Sequence, residues 1–154
     1  MAKRGLSSVQ RTLRACREQG RFIEKVEQWI SYGGHKAKPK PGMPSGTRRD
    51  AFGFIDIIAI DTDAIIAIQA CGADRKSHYD KIIESDYSLP WLKAGGRIEL
   101  WSWTKRKVKR GGKQVRWFPK IENIKQTDFL EGISSNAIEE LHKSGVGEQL
   151  NFVH

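Results

Sequence analysis

Cysteine is nearly absent from the 154 residues: only Cys16 and Cys71 occur. Two thiols cannot build a disulfide framework, and with no Cys-x-x-Cys pair a zinc site is disfavoured. Such usage is consistent with a reducing compartment. Long apolar runs are missing too, and nothing approaches the roughly 20 residues of a membrane span. The N-terminal MAKRGLSSVQ has basic residues without an apolar signal core behind them, so a cytoplasmic protein with no membrane partner is expected. The four histidines, His35, His78, His142 and His154, show no metal-ligand spacing. There is no internal repeat, phosphate-binding P-loop, dinucleotide fingerprint or nucleophile elbow. Acid is also scarce. Asp and Glu number 18 against 27 Lys and Arg, a formal net charge of +9. That balance favours a polyanionic partner, nucleic acid before membrane.

What remains fits one globular α/β domain spanning residues 1–154, with 38% hydrophobic and 29% charged residues. Ser7 or Ser8 caps a helix to Gln19, with Val9, Leu13 and Cys16 at helical spacing and Gly20 as its stop. RFIEKVEQWI reads as a strand. SYGGHKAKPKPGMPSGTRRD has no apolar period and reads as a long basic loop carrying Lys36, Lys38, Lys40, Arg48 and Arg49. FGFIDIIAI and AIIAIQACG form an antiparallel hairpin about Asp61-Thr62-Asp63, apolar enough to be buried on both faces. Ser77 to Lys93 reads as a helix with a break near Ser88-Leu89-Pro90. RIELWSW and KQVRWFPKI are strands of a second hairpin with Gly111-Gly112 at its tip, and Asn136 to Lys143 forms a terminal helix. The order predicts a central mixed β-sheet flanked by helices.

Two polar groups interrupt the apolar hairpin: Asp56 on one strand and Gln69 on the next. Alternation puts Gln69 and Cys71 on one face, and a suitable register brings Asp56 opposite them. A buried carboxylate needs a partner or a metal. An acid facing an amide oxygen suits a hard cation such as Mg²⁺, which keeps several waters and needs few carboxylates. The same residues also suit a structural role, with Asp56 capping a turn or pairing Arg48 or Arg49, and Gln69 bonding backbone.

The run RRDAFGFIDIIAI, a short turn, IIAIQACG, and later WLKAGGRIELWSW resembles the PD-(D/E)xK nuclease superfamily, most of all its small phage-type, Holliday-junction-resolvase-like members. The resemblance is most specific over Arg48 to Gly72 and looser over Leu6 to Trp29 and Trp91 to Pro119. It implies a restriction-endonuclease-like core with a basic β-hairpin extension. It further implies a metal-dependent endonuclease that hydrolyses phosphodiester bonds of DNA, including branched DNA, with Mg²⁺ or Mn²⁺ as cofactor. Junction cutting would call for a homodimer, and a phage-encoded member would work in the host cytoplasm. Asp56 matches the metal-binding Asp. Gln69 stands at the acidic position and Cys71 at the lysine position of the motif. Glu27 is the choice for the upstream acid, ahead of Glu24 and Glu18, and Asp50 is a further candidate. The implied metal ligands are Asp56, Gln69 and Glu27. Lys76 stands for the displaced lysine, with Lys81, Lys36 and Lys38 as alternatives. A catalytically inactive nucleic-acid-binding protein on the same fold is the other reading, favoured by Gln69 and Cys71.

Between Trp103 and Glu122 no acid occurs, whereas Lys105, Arg106, Lys107, Lys109, Arg110, Lys113, Arg116 and Lys120 do. A ribbon over 104–120 with this charge can lie along a phosphate backbone, as can the basic loop at 33–49. Trp101 and Trp103 read as core residues of their strand. Trp117 and Phe118, where exposed, would suit base stacking.

Overall fold

The computed structural model describes residues 5–32, 41–42 and 45–130. Lys36, Lys38, Lys40 and the terminal helix expected over Asn136 to Lys143 lie outside these residues. The first helix, α1 (Ser8–Glu18), is set by a capping box. Ser7 Oγ accepts from the Gln10 N–H, and Gln10 returns a carboxamide oxygen to the Ser7 N–H. Gly20, at φ 77°, ends it.

Five strands form the central sheet, in the order β1 (Phe22–Lys25), β4 (Ile57–Ile60), β5 (Ile65–Cys71), β6 (Arg97–Lys107) and β7 (Val115–Ile124). Only the β5–β6 pair is parallel. A parallel neighbour needs a crossover, and α2 (Arg75–Glu84) and α3 (Ser88–Lys93) supply it. The expected mixed sheet with flanking helices is therefore observed. Alternation along the strands divides the core. Cys16, Ile57, Ala59, Ile66, Ile68, Trp101 and Trp103 pack on the α1 side. Phe54, Ile55, Ala67, Cys71, Ile82, Ile98, Leu100 and Ile124 pack on the α2–α3 side. The two expected core tryptophans are buried. Trp101 donates to Glu99 and Trp103 to Thr12, both at 2.8 Å.

Four sequence expectations change, the first being FGFIDIIAI, which is a strand only over Ile57–Ile60 because Ala51 and Ile55 close the residues before it into a turn. RFIEKVEQWI is two strands rather than one, because the chain turns at Val26 and Glu27. Both of their N–H groups donate to the carbonyl of Asp56, at 2.9 and 3.3 Å, two residues against one. The second strand, β2 (Gln28–Ser31), leaves the main sheet and pairs with β3 (Gly46–Arg49) as a separate ribbon. Arg48 and Arg49 therefore stand on a strand, not in a loop. Gly46 is needed there, since a Cβ would come within 2.8 Å of the Trp29 ring. The helix expected over Ser77 to Lys93 starts earlier, at Arg75, and divides at Ser85–Tyr87. Pro90 lacks an N–H and would clash with the carbonyl four residues back, so the chain restarts as α3 with Pro90 in its first turn.

Candidate functional site

Asp56 immediately precedes β4, and its backbone N–H donates to the carbonyl of Ile68 at 3.0 Å. That bond and the β4–β5 register set Asp56 opposite Gln69. The register is one that brings the two together. Gln69 Nε2 donates to Asp56 Oδ2 at 2.6 Å, and the N–H of Ala70 donates to the same oxygen at 2.9 Å. Both residues are buried. The amide thus offers its donor to the carboxylate, and Gln69 Oε1 is left buried without a hydrogen-bond partner.

Burial raises the Asp56 pKa to about 7. The N–H of Ala70 opposes that rise. The Asp50 carboxylate adds to it, the Lys81 ammonium opposes it, and the Glu27 carboxylate adds again. Those influences identify the neighbours. Lys81, from α2, is hydrogen-bonded to Asp50, whose side chain is 11% exposed. Glu27 is held by its backbone bond to the Asp56 carbonyl, and its carboxylate pairs with Lys25 at 3.2 Å and Arg48 at 3.3 Å. Pairing with Asp56 itself, one structural option for Arg48, does not occur; Arg48 pairs with Glu27 instead.

Lys76 does not reach this cluster. Its ammonium is bound to Asp80 one turn on, at 2.7 and 2.9 Å, and its side chain is 81% exposed. Five residues on a helix turn through about 140°, so a helix that presents Lys81 to the sheet must turn Lys76 away. His78, one turn before Lys81, is half-buried. Burial lowers its pKa first and the Lys81 charge second, and its Nδ1 is buried without a partner. Cys71 shares the face of Gln69 but lies in the core against Ser102, and burial pushes its thiol pKa up. A thiol in that state is a packing group rather than a substitute for lysine.

A cleft of about 1000 Å³ opens beside the cluster, with Arg48, Arg49, Asp50, Phe52, Lys81 and Tyr87 among its lining. The side-chain oxygens near Asp56 are the Asp50 and Glu27 carboxylates, with Gln69 Oε1 buried and unpartnered while the amide nitrogen of Gln69 faces the carboxylate. That chemistry fits a hard divalent cation. Among the described residues, no three His, Cys, Asp or Glu side chains are already drawn together around one ion position. Lys81 and Arg48 instead neutralise two of the carboxylates.

The basic ribbon is formed by the outer halves of β6 and β7, and Lys105, Arg106, Lys107, Lys109, Arg110, Lys113 and Arg116 are all exposed. Pairing of Lys105 with Trp117 and of Arg106 with Arg116 divides the ribbon between two faces. Lys105 and Lys107 lie on the α1 side, where Arg11 covers the exposed Trp117 ring at 3.8 Å. Arg106 and Arg116 lie on the Asp56 side, where Arg106 covers Phe118 at 4.4 Å. Sequence reasoning missed the Arg11–Trp117 contact, which joins α1 to β7 and has no local signal. It had Lys81 only as one of several lysines, because helical phase alone does not say which face meets the sheet. No described helix is long and apolar enough to cross a membrane. Neither a protein-family model nor a curated protein matches the chain.

Proposed function

We propose that the chain is a metal-dependent nuclease acting on DNA, with Asp56 at the centre of its site and Lys81 in the role first given to Lys76. One observation carries the reading: Asp56, Asp50 and Lys81 converge at the end of a buried hairpin, beside a cleft lined by Arg48 and Arg49. A helix, three antiparallel strands (β1, β4 and β5, with the β2–β3 ribbon inserted after the first), a helical crossover and a parallel strand also fit the PD-(D/E)xK resemblance. Asp56, Gln69 through Oε1, and Glu27 or Asp50 would hold Mg²⁺ or Mn²⁺. When bound, the ion would polarise the phosphate and lower the pKa of water. The protein's own part is then positional and electrostatic. Arg48 and Arg49 neutralise phosphates along the cleft, and Lys81 sets a positive charge against the charge that grows on the phosphate oxygens. Hydrolysis breaks one P–O bond and adds water across it. Cutting a four-way junction symmetrically would need two copies of the chain.

The amide donor that Gln69 gives Asp56 favours a second reading, a nucleic-acid-binding protein without catalysis. Incubation with linear, single-stranded and four-way-junction DNA, with Mg²⁺, Mn²⁺ or chelator, separates the two. Cutting that requires metal, and that Asp56→Ala abolishes with binding retained, is the expected outcome. Binding without cutting under any metal establishes the second reading. Cutting that survives Asp56→Ala removes the site.

A further inference from the structure

Phe52 sits where a phenylalanine is disfavoured. Its φ is 51°, and among the described residues it is the one non-glycine with positive φ. Such strain is retained chiefly where a side chain must be aimed. The ring is not aimed into the core. It is half exposed, whereas Phe54, two residues on, is fully buried. Instead it lies against Tyr87 at 5.1 Å and Trp91 at 6.5 Å between ring centres. The turn that carries it is closed by a bridge between Ala51 and Ile55, and Ser85 Oγ donates to the Phe52 carbonyl at 3.1 Å. Trp91 is itself fixed by a 2.8 Å bond to the carbonyl of Arg97. Phe52 and Tyr87, their rings tilted 44° to one another, thus form an aromatic shelf that Trp91 backs.

The shelf lines the same cleft as Arg48, Arg49 and Lys81. Asp50, which binds Lys81 and acts on Asp56, is two residues before Phe52 in the same turn. Glu84 and Asp86 also line the cleft, and they precede Tyr87 by three and one residues. Those carboxylates repel a phosphate from the shelf, while the two arginines attract one beside it. An uncharged flat group over the shelf and a phosphate at the arginines is the arrangement of a nucleotide with its base turned inward. Bases inside a duplex already have both faces covered.

We propose that Phe52, backed by Tyr87, is a stacking platform for an unpaired nucleobase, one that selects single-stranded or branched positions next to the Asp56 site. This rests on the nucleic-acid reading above. The test uses the full chain in chelator, so that no cutting intervenes, and a single-stranded oligonucleotide containing 2-aminopurine. Phe52→Gly removes the ring and suits the backbone, since glycine adopts positive φ freely. Wild type should quench the 2-aminopurine, and Phe52→Gly should restore its emission. Single-strand affinity should fall about five- to a hundredfold, the range for loss of one base–aromatic stack. Blunt duplex affinity should stay unchanged, and Phe52→Tyr should behave as wild type. Equal affinity and quenching in wild type and Phe52→Gly overturn the platform alone. So does an equal loss on duplex and single strand. Failure of wild type to bind any oligonucleotide overturns the nucleic-acid reading and the platform with it.

Discussion

Asp56 is an acid that burial pushes towards its neutral form. Its folded pKa, about 7, lies above the ordinary 3.8, so between these values the folded chain holds a proton that the unfolded chain has released. This contribution to stability is complete below about pH 4 and is lost as pH rises through about 7. Urea unfolding at pH 5 and pH 8 should therefore show wild type weaker at pH 8, by on the order of 2–4 kcal/mol from this group. Asp56→Asn keeps an acceptor for the Ala70 N–H and should remove that slope. An unchanged slope would mean that Asp56 is ionised across the range. The two lysines of α2 make a second contrast. Lys81→Ala should lower any cleavage rate by about a hundred- to a thousandfold, the span for loss of one electrostatic stabiliser. Lys76→Ala, which breaks only an exposed i,i+4 pair with Asp80, should leave it unchanged.

At the scale of elements, the β6–β7 ribbon is where composition and geometry agree most directly. An acid-free run of residues became a pair of strands whose outer half buries nothing large and presents cations on both faces. Duplex binding should weaken steeply with salt, because each phosphate contact releases a counterion. Replacing Lys105, Arg106, Lys107 and Arg116 by Ala should flatten the log–log slope by up to about 3.6, or about 0.9 per contact. Fluorescence anisotropy across a salt series reads this directly, and a slope that does not move would place the nucleic acid elsewhere. The β2–β3 ribbon was not legible. Glycine, proline and lysine hid a strand at Gly46–Arg49, since its partner, Gln28–Ser31, is distant in sequence and its pairing is a tertiary event. The division of RFIEKVEQWI was hidden for a related reason: one carbonyl of Asp56, 29 and 30 residues away from Glu27 and Val26, captures two N–H groups.

For the whole molecule, the cluster of acids and the net charge of +9 pose one balance. Carboxylates gathered about Asp56 repel one another, and Lys81 and Arg48 offset part of that repulsion. A divalent cation bound there would stabilise the fold by mass action. At pH 8, millimolar Mg²⁺ or Mn²⁺ should raise the melting temperature of wild type by a few degrees and leave that of Asp56→Ala unchanged. Equal melting of both proteins with and without metal would argue for the binding-only reading. The sequence by itself determined the cap and stop of α1, the apolar hairpin about Asp61–Asp63 and the basic ribbon. Each of these rests on local periodicity, a turn, or charge density, which neighbouring residues carry. Tertiary structure alone decided that Lys81 rather than Lys76 faces Asp56, that Cys71 is core, and that Phe52 is turned outward at positive φ. Those outcomes depend on how α2 and α3 are rotated against the sheet, and that rotation is set by packing among residues far apart in the chain.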